Sequence, residues 1–305
     1  MNGLFPTRNA AAAGLARTLT RLAGTELPVL LEGETGSGKS FVATRLHRRG
    51  RPGRPLVVAD CGALPEALLA AEMFGHRAGA FTDATRARVG LCERSADGTL
   101  VLDRVDTLSP AAQVVLLRTL EERRYVPVGG ATARRLRARV VAIADAGLAQ
   151  RVESGAFRAD LYHRLAGFHG VVPPLRDRPE DILPVARTVA RRSARRQCRA
   201  LGLAAEVETL LLAYPWPGNF RELIAVIERA CLLATGDEIG VAELQLPSGS
   251  WSAMEALAAD RGMTIAEVSR RYALQVLARE GGNVTRAAAR LGVSRRTLIR
   301  WRSEA

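Results

Sequence analysis

Apolar and polar positions in the first half of the chain alternate between short apolar runs and longer mixed stretches. Three runs have the length and composition of buried strands: residues 27–33, 100–103 and 139–145. Residues 40–49, separated from the first run by residues 34–39, are predicted to form a helix. Because buried strands that alternate with helices form parallel sheets, this half predicts an α/β fold whose ligand lies at the carboxyl ends of the strands.

The pattern at the end of the chain is helical throughout. Residues 264–280 are amphipathic, and they precede two short helices, the first running from about Thr285 to Leu291. Gly292 is predicted to make the turn and Ser294 to cap the second helix. Apolar residues hold the two helices together: Ala288, Leu291, Val293 and Leu298. This pattern predicts an all-α helix-turn-helix.

Composition places the chain among ordinary globular proteins of more than one compact unit. It has 305 residues, of which 48% are hydrophobic and 25% charged. An apolar run of about 18 residues and a signal-peptide pattern are both lacking, so we expect a cytoplasmic protein without membrane contact. Neither the four cysteines nor the four histidines have the spacing of a disulfide framework or a zinc site.

The charge of +13 indicates a polyanionic partner, nucleic acid before membrane, although coding bias toward arginine is an alternative explanation. Six arginines oppose Glu304 in the helix-turn-helix, which gives this segment +5. Its second helix is predicted to enter a major groove, with a solvated basic helix pair as the alternative. The candidate DNA contacts are Ser294, Arg295, Arg296, Thr297 and Arg300.

Residues 33–40 match the phosphate-binding pattern G-x-x-x-x-G-K-[ST], between a predicted strand and a predicted helix. The candidate nucleotide-binding residues are Gly33, Glu34, Thr35, Gly36, Ser37, Gly38, Lys39 and Ser40. Lys39, the only lysine of the chain, is predicted to reach the β- and γ-phosphates of ATP. Ser40 and Asp103, which ends its apolar strand, are the predicted Mg²⁺ ligands.

Several longer motifs identify a family. They are "GAFTDA" (79–84), "LSPAAQVVLLRTLEE" (108–122), "VGG" (128–130), "GAFRADLYHRL" (155–165), "PPLRDRPEDI" (173–182) and "WPGNFREL" (216–223). Residues 5–245 resemble the central AAA+ domain of bacterial sigma-54-dependent transcription activators, and the end of the chain resembles their Fis-type helix-turn-helix. The resemblance implies a P-loop AAA+ α/β subdomain (1–172), a helical lid (173–245), a linker (246–262) and a DNA-binding domain (263–305).

The same resemblance implies a mechanism. Such activators form rings, usually hexamers, on upstream activator sites, hydrolyse ATP between subunits and remodel sigma-54 RNA polymerase. Asp103 with the finger arginines Arg158 and Arg164 would be catalytic, and Arg221 would be the nucleotide-sensing arginine of the lid. Phe81 and Thr82 would contact sigma-54. Residues 264–280 would dimerise the DNA-binding unit or pack against it.

Five positions depart from the family pattern, among them Ala144, which with Asp145 replaces the end of the family's ATN sensor. Arg104 stands at the second carboxylate of the acidic pair, and Asp60 at the asparagine that holds that carboxylate. Asp145 stands at the sensor asparagine, and Asp83 replaces the second glycine of the loop motif. We expect Asp60 and Arg104 to form a salt bridge, and Asp106, the nearest other carboxylate, to be a solvated loop acid.

Two hypotheses about function therefore stay open. The chain is either an ATP-driven activator, or a DNA-binding repressor or mixed-ring subunit that uses ATP only as an assembly ligand. The first strand is predicted only about 25 residues into the chain. We therefore expect control by expression level, a partner subunit or a trans-acting regulator.

Overall fold

The computed structural model of the protein describes residues 4–63, 66–81, 84–196, 201–246, 273–274, 276–277, 280–291 and 293–303. Its contacts divide the chain into two compact units, Met1–Pro173 and Pro174–Ala305. In the described residues, no helix is both long enough and apolar enough to cross a bilayer.

The first unit is built on a five-stranded parallel sheet with the order β2-β5-β8-β1-β9. Its strands are β1 (Val29–Glu32), β2 (Leu56–Asp60), β5 (Thr99–Asp103), β8 (Arg139–Ala144) and β9 (Phe168–Val171). The three predicted apolar runs are therefore strands β1, β5 and β8, and the predicted parallel α/β fold is confirmed.

Helices cover both faces of this sheet. Alternate residues of each strand point to opposite faces, so Leu30 and Leu102 belong to one apolar core, whereas Leu31 and Val101 belong to the other. The helices are α1 (Ala10–Leu22), α2 (Lys39–Gly50), α3 (Glu66–Phe74), α4 (Leu91–Arg94), α5 (Pro110–Glu122), α6 (Leu148–Glu153) and α7 (Ala159–Leu165). Burial on both faces explains why the central strands are continuous apolar runs rather than alternating ones.

Two short hairpins project from the strand-helix frame. They are β3 (Gly75–His76) with β4 (Arg88–Val89), and β6 (Arg124–Tyr125) with β7 (Arg134–Arg135). The first hairpin carries the GAFTDA motif and the second carries the VGG motif. Backbone hydrogen bonds from Arg77 N to Val128 O (3.0 Å) and from Val128 N to Gly75 O (2.8 Å) join the two.

The second unit contains a helical bundle packed around Trp216. Its elements are α8 (Ile182–Arg196), α9 (Ala205–Ala213), α10 (Asn219–Leu233) and the strand pair β10 (Gly202–Leu203) and β11 (Glu238–Ile239). Trp216 is fully buried, has a left-handed backbone (φ 51°) and donates from Nε1 to Leu211 O (2.8 Å). The "WPG" segment thus makes the turn into α10.

The helix-turn-helix consists of α11 (Val284–Leu291) and α12 (Arg295–Ser303). Ser294 Oγ accepts from Thr297 N (3.0 Å), so the predicted cap is confirmed. Val276 and Leu277 pack with Ala288 and Leu298 in the apolar core of this segment. For these two residues, packing against the helix-turn-helix is therefore observed. Residues 247–262 and most of 264–280 lie outside the described residues.

Replacing Ser294 by alanine should destabilise the start of α12 by about 1 kcal/mol, because the Thr297 N–H loses its acceptor. Amide hydrogen exchange of the full chain should then be faster in α12. Ser294→Asp is the matched control, since it keeps an acceptor and should preserve protection. Equal exchange in Ser294→Ala and the unmodified chain would contradict the capping role.

Candidate functional site

The phosphate-binding loop connects β1 to α2. Gly36 and Gly38 have φ values of 78° and 103°, which favour glycine, and Gly38 directly precedes the first helical residue, Lys39. The loop therefore directs backbone N–H groups and the positive end of a 12-residue helix at one point. This geometry suits a phosphate group.

Lys39 is only 7% exposed and uses its ammonium group within the site. Nζ donates to Gly33 O (2.6 Å), Glu34 O (3.0 Å) and Asp145 Oδ1 (2.8 Å). The other oxygen of Asp145 accepts from Thr35 Oγ1 (3.0 Å). The carboxylate at the family's sensor position thus binds the phosphate-loop lysine, a contact that the sequence analysis did not predict.

Opposing influences act on the Asp145 carboxyl. Burial alone would raise its pKa, but hydrogen bonds from Lys39 and Thr35, together with the positive charge of Lys39, outweigh burial and lower the pKa. Asp145 is therefore ionised at neutral pH.

The predicted Mg²⁺ ligands lie next to each other. Ser40 Oγ, at the start of α2, is 3.5 Å from Asp103 Oδ2, at the end of β5. A hydroxyl and a carboxylate oxygen so placed fit Mg²⁺, which commonly takes one or two protein ligands and completes its shell with phosphate and water. In the part of the chain that the structure describes, no cluster of three or more His, Cys, Asp or Glu side chains is arranged to hold a metal.

The predicted salt bridge between Asp60 and Arg104 is confirmed. Strands β2 and β5 pair Asp60 with Asp103. Arg104 therefore lies one residue past the end of β5, next to Asp60. Its left-handed backbone (φ 56°) accompanies a side chain that donates from Nε to Asp60 Oδ1 (2.9 Å) and from Nη2 to the same oxygen. The hydrogen bond with Asp60 raises the pKa of Arg104.

Gly62 makes room for this ion pair. A Cβ atom at Gly62 would lie 2.6 Å from Cζ of Arg104, and the Gly62 N–H donates to Asp60 Oδ1 (3.1 Å). The guanidinium therefore packs against bare backbone while the same carboxylate oxygen accepts from both groups. Local chain geometry supports the pair.

The interpretation of Asp106 as a solvated loop acid is wrong. Asp106 lies in a 3₁₀ turn (Val105–Thr107) after β5 and is only 8% exposed. Its Oδ1 accepts from Asp145 N (3.3 Å), and its backbone oxygen accepts from Arg151 Nη1 (3.2 Å). The tight turn folds Asp106 under the end of β8, where it positions Asp145.

The predicted finger arginines are exposed, and each forms hydrogen bonds to nearby groups of the same subdomain. Arg158, which precedes α7, forms a paired contact with Asp160, Nε to Oδ1 (3.0 Å) and Nη2 to Oδ2 (2.7 Å). Arg164 donates to Leu120 O from Nε (3.2 Å) and Nη2 (3.0 Å), at the end of α5. Arg221 is exposed in the first turn of α10.

The GAFTDA loop is closed at its base by backbone hydrogen bonds from Gly79 N to Ala84 O (2.8 Å) and from Ala84 N to Phe81 O (2.9 Å). Phe81 is 38% exposed, and its ring lies 4.9 Å from that of His76, centroid to centroid. Thr82 and Asp83 lie outside the described residues.

The basic side chains of α12 are available to solvent. Arg295, Arg296 and Arg300 are exposed, as is Ser294, whereas Thr297 is half-buried. Leu298 is the buried residue that anchors the helix. The exposed face of α12 therefore carries the positive charge that the sequence predicts.

Three family models match successive parts of the chain. They describe a Sigma-54 interaction domain at residues 6–169, an AAA+ ATPase lid domain at 176–250 and a Bacterial regulatory protein of the Fis family at 264–301. Their order is the one that the sequence motifs predict.

Similar proteins carry related names. Transcriptional regulatory protein ZraR of Klebsiella oxytoca is 41% identical over 95% of this chain, which spans 66% of that protein. Nitric oxide reductase transcription regulator NorR1 of Cupriavidus necator is 42% identical over 94% of this chain, which spans 61% of that protein. The chain thus spans slightly less than two thirds of these relatives.

A solved structure has the same architecture. NtrX from Brucella abortus in complex with ATP matches 97% of this chain and 68% of its own, with a TM-score of 0.73 and 26% identity. NtrX in complex with ADP matches equally well, also with a TM-score of 0.73. With the Sigma-54 interaction domain covering more than half of its length, this chain belongs to the family of sigma-54-dependent transcription activators.

Proposed function

We propose that this chain is a DNA-binding regulator that binds ATP and Mg²⁺ but hydrolyses ATP slowly or not at all. One observation carries the proposal: the Asp60–Arg104 ion pair occupies the positions that the family uses for hydrolysis, whereas the phosphate loop and the Ser40–Asp103 pair are in place. The residues for nucleotide binding are thus retained, and those for hydrolysis are replaced, at the same edge of the sheet.

The binding half rests on the phosphate loop. Gly36 and Gly38 have the required backbone geometry, and Lys39 lies at the start of α2. The adjacent Ser40 and Asp103 would hold Mg²⁺, which would neutralise phosphate charge when bound. Since NtrX, a structural neighbour, is known in complexes with ATP and with ADP, adenine nucleotides are the ligands we propose.

The hydrolysis half rests on charge. In the family, a carboxylate at position 104 would accept a proton from the attacking water. A guanidinium has no lone pair for this role, and Arg104 is further engaged by Asp60. Loss of a positioned general base typically costs about 10²–10⁴ in rate. Asp106 does not replace it, because its Oδ1 is buried against Asp145 N.

Assembly and partners follow from exposed groups. We propose that Arg158 and Arg164 act across subunits in a ring, usually a hexamer in this family, with Arg221 as the nucleotide-sensing residue of the lid. Phe81, exposed on its hairpin, would contact sigma-54 RNA polymerase together with Thr82. The face of α12 would bind upstream activator sites. A trans-acting regulator would control the assembly.

The alternative, an activator with ordinary turnover, is disfavoured by the same ion pair. The deciding experiment measures nucleotide binding, phosphate release and particle mass for the purified full chain with ATP, Mg²⁺ and DNA. We expect binding and ring formation with phosphate release at least about 10²-fold below that of a family member with the acidic pair. Family-like release would restore the activator hypothesis, and absence of binding would overturn the proposal.

Removal of Arg296 tests the DNA-binding part. Binding is measured on a random-sequence duplex of 30 base pairs. Arg296→Ala should make the negative slope of log affinity against log salt less steep by about 0.9, because one phosphate contact is lost. Arg118→Ala, which removes an exposed arginine of α5, should leave the slope unchanged. An unchanged slope and affinity in Arg296→Ala would remove this residue from the DNA-binding face.

A further inference from the structure

Asp145 is a fixed negative charge beside the phosphate loop. We propose that Asp145 makes the nucleotide site favour nucleoside diphosphates over triphosphates. This inference rests on the proposed nucleotide binding and specifies which nucleotide the site retains.

Both carboxylate oxygens of Asp145 accept hydrogen bonds in the structure. One accepts from Lys39 Nζ at 2.8 Å and the other from Thr35 Oγ1 at 3.0 Å. From the opposite side, the buried Asp106 accepts from the Asp145 backbone N–H at 3.3 Å. Asp145 is therefore held by hydrogen bonds to both its side chain and its backbone.

The γ-phosphate is the group that meets this carboxylate. N–H groups of the phosphate loop enclose the β-phosphate, and the lysine lies between the β- and γ-phosphates. The γ-phosphate extends past the loop, toward the carboxyl ends of the strands. Asp145 directly follows β8, the parallel neighbour of β1, so it stands at that edge.

The lysine cannot separate the two anions widely. An ammonium has three donors in tetrahedral directions, so two acceptors on it at 2.8 Å lie about 4.6 Å apart. A γ-phosphate oxygen that displaces one of the two backbone oxygens from Lys39 Nζ would thus face the Asp145 carboxylate across one nitrogen. At such a separation like charges repel measurably even where solvent screens them.

A diphosphate avoids most of this repulsion. It presents one negative charge fewer, and its terminal phosphate is the one that the loop N–H groups enclose. Asparagine at position 145, the family's sensor residue, could donate a hydrogen bond to the γ-phosphate, whereas an ionised aspartate only accepts. The substitution thus converts a group that favours triphosphate into one that opposes it.

The test compares two nucleotides on the full chain with Mg²⁺, by isothermal titration calorimetry at low and moderate salt. The probes are ADP and the β,γ-imido analogue of ATP, which is not hydrolysed. We expect the unmodified chain to bind ADP more tightly, and Asp145→Asn to shift the ratio of the two dissociation constants by about tenfold toward the triphosphate. Higher salt should weaken the preference of the unmodified chain.

Asp97→Asn is the matched control. Asp97 also forms an ion pair, with Arg137, but it precedes β5 and therefore lies at the opposite edge of the parallel sheet. Its replacement should leave the ratio unchanged.

The outcomes separate the inference from the proposed function. Failure of both nucleotides to bind would overturn the proposed function and the inference with it. Binding of both, with tighter binding of the triphosphate analogue to the unmodified chain, would overturn the inference alone. So would a ratio that Asp145→Asn does not change. The measurement on the unmodified chain needs no variant to fold.

Discussion

The double variant Arg104→Glu/Asp60→Asn is expected to hydrolyse ATP about 10²–10⁴ times faster than the unmodified chain. The change replaces a cation with a carboxylate at the end of β5 and replaces its anionic partner with an amide. The carboxylate can then accept a proton from water, and the amide can hold it by a hydrogen bond. Phosphate release at saturating ATP and Mg²⁺ measures the effect.

The single variants should be much less active than the double variant. Arg104→Glu alone sets two carboxylates against each other where Arg104 now donates to Asp60 at 2.9 Å. Asp60→Asn alone leaves the guanidinium in place. Because the two residues are in contact, we expect their effects to be non-additive, and this coupling distinguishes a repaired site from a general increase in activity.

A matched ion pair provides the control. Arg137 donates from Nε to Asp97 Oδ1 at 2.9 Å, the same distance as in the Arg104–Asp60 contact, and both pairs are about half-exposed. Arg137→Glu/Asp97→Asn makes the same chemical changes at the amino-terminal edge of the sheet and should leave turnover unchanged. If the double variant at positions 104 and 60 is no faster than the unmodified chain, the ion pair is not what limits hydrolysis.

Elements set by local pattern could be predicted from the sequence. Strands β1, β5 and β8 are apolar runs because both of their faces are buried, and α2 follows the glycine-rich loop directly. The Asp60–Arg104 pair was predicted from the family resemblance, because the two residues replace a carboxylate and the asparagine that holds it. The structure adds the register, which pairs Asp60 with Asp103, one residue before Arg104.

Contacts that depend on the course of a turn were not predictable. Asp106 is buried because a 3₁₀ turn follows β5, whereas its position beyond the strand end predicts a solvated loop instead. The Lys39–Asp145 contact joins residues 106 positions apart. Its formation depends on where Asp106 holds the backbone after β8. The sequence does not show how the turn at 105–107 places Asp106. Charge alone therefore does not select Asp145 over Asp103 as the partner of Lys39.

Glu32 shows the same limit. It ends β1 just before the phosphate loop, and the sequence pattern assigns it no contact. In the structure its Oε1 accepts from Gly147 N (2.8 Å) and Leu148 N (3.2 Å) at the start of α6. Its Oε2 lies 3.0 Å from His169 Nε2. Glu32 thus fixes the segment after Asp145, which is a supporting role that no local pattern indicates.

Replacing Lys39 by alanine is expected to weaken binding of ADP and of the ATP analogue by about 10²–10³, because the bound phosphates lose a cation that is itself buried. Two effects add: the phosphates lose a cation, and Asp145 keeps its charge without its main partner. Lys39→Arg should not restore binding, because Lys39 is buried in the site and the larger guanidinium does not fit in place of its ammonium group. Titration calorimetry of the full chain measures these losses.

The second variant in this series separates the two effects. If Asp145 opposes bound phosphate, Lys39→Ala/Asp145→Asn should recover about tenfold of the lost triphosphate affinity and less of the diphosphate affinity. The recovery is expected because the double variant removes an anion that Lys39 no longer neutralises. Equal affinity in the single and double variants would mean that Asp145 acts only by holding Lys39 and exerts no repulsion on the nucleotide.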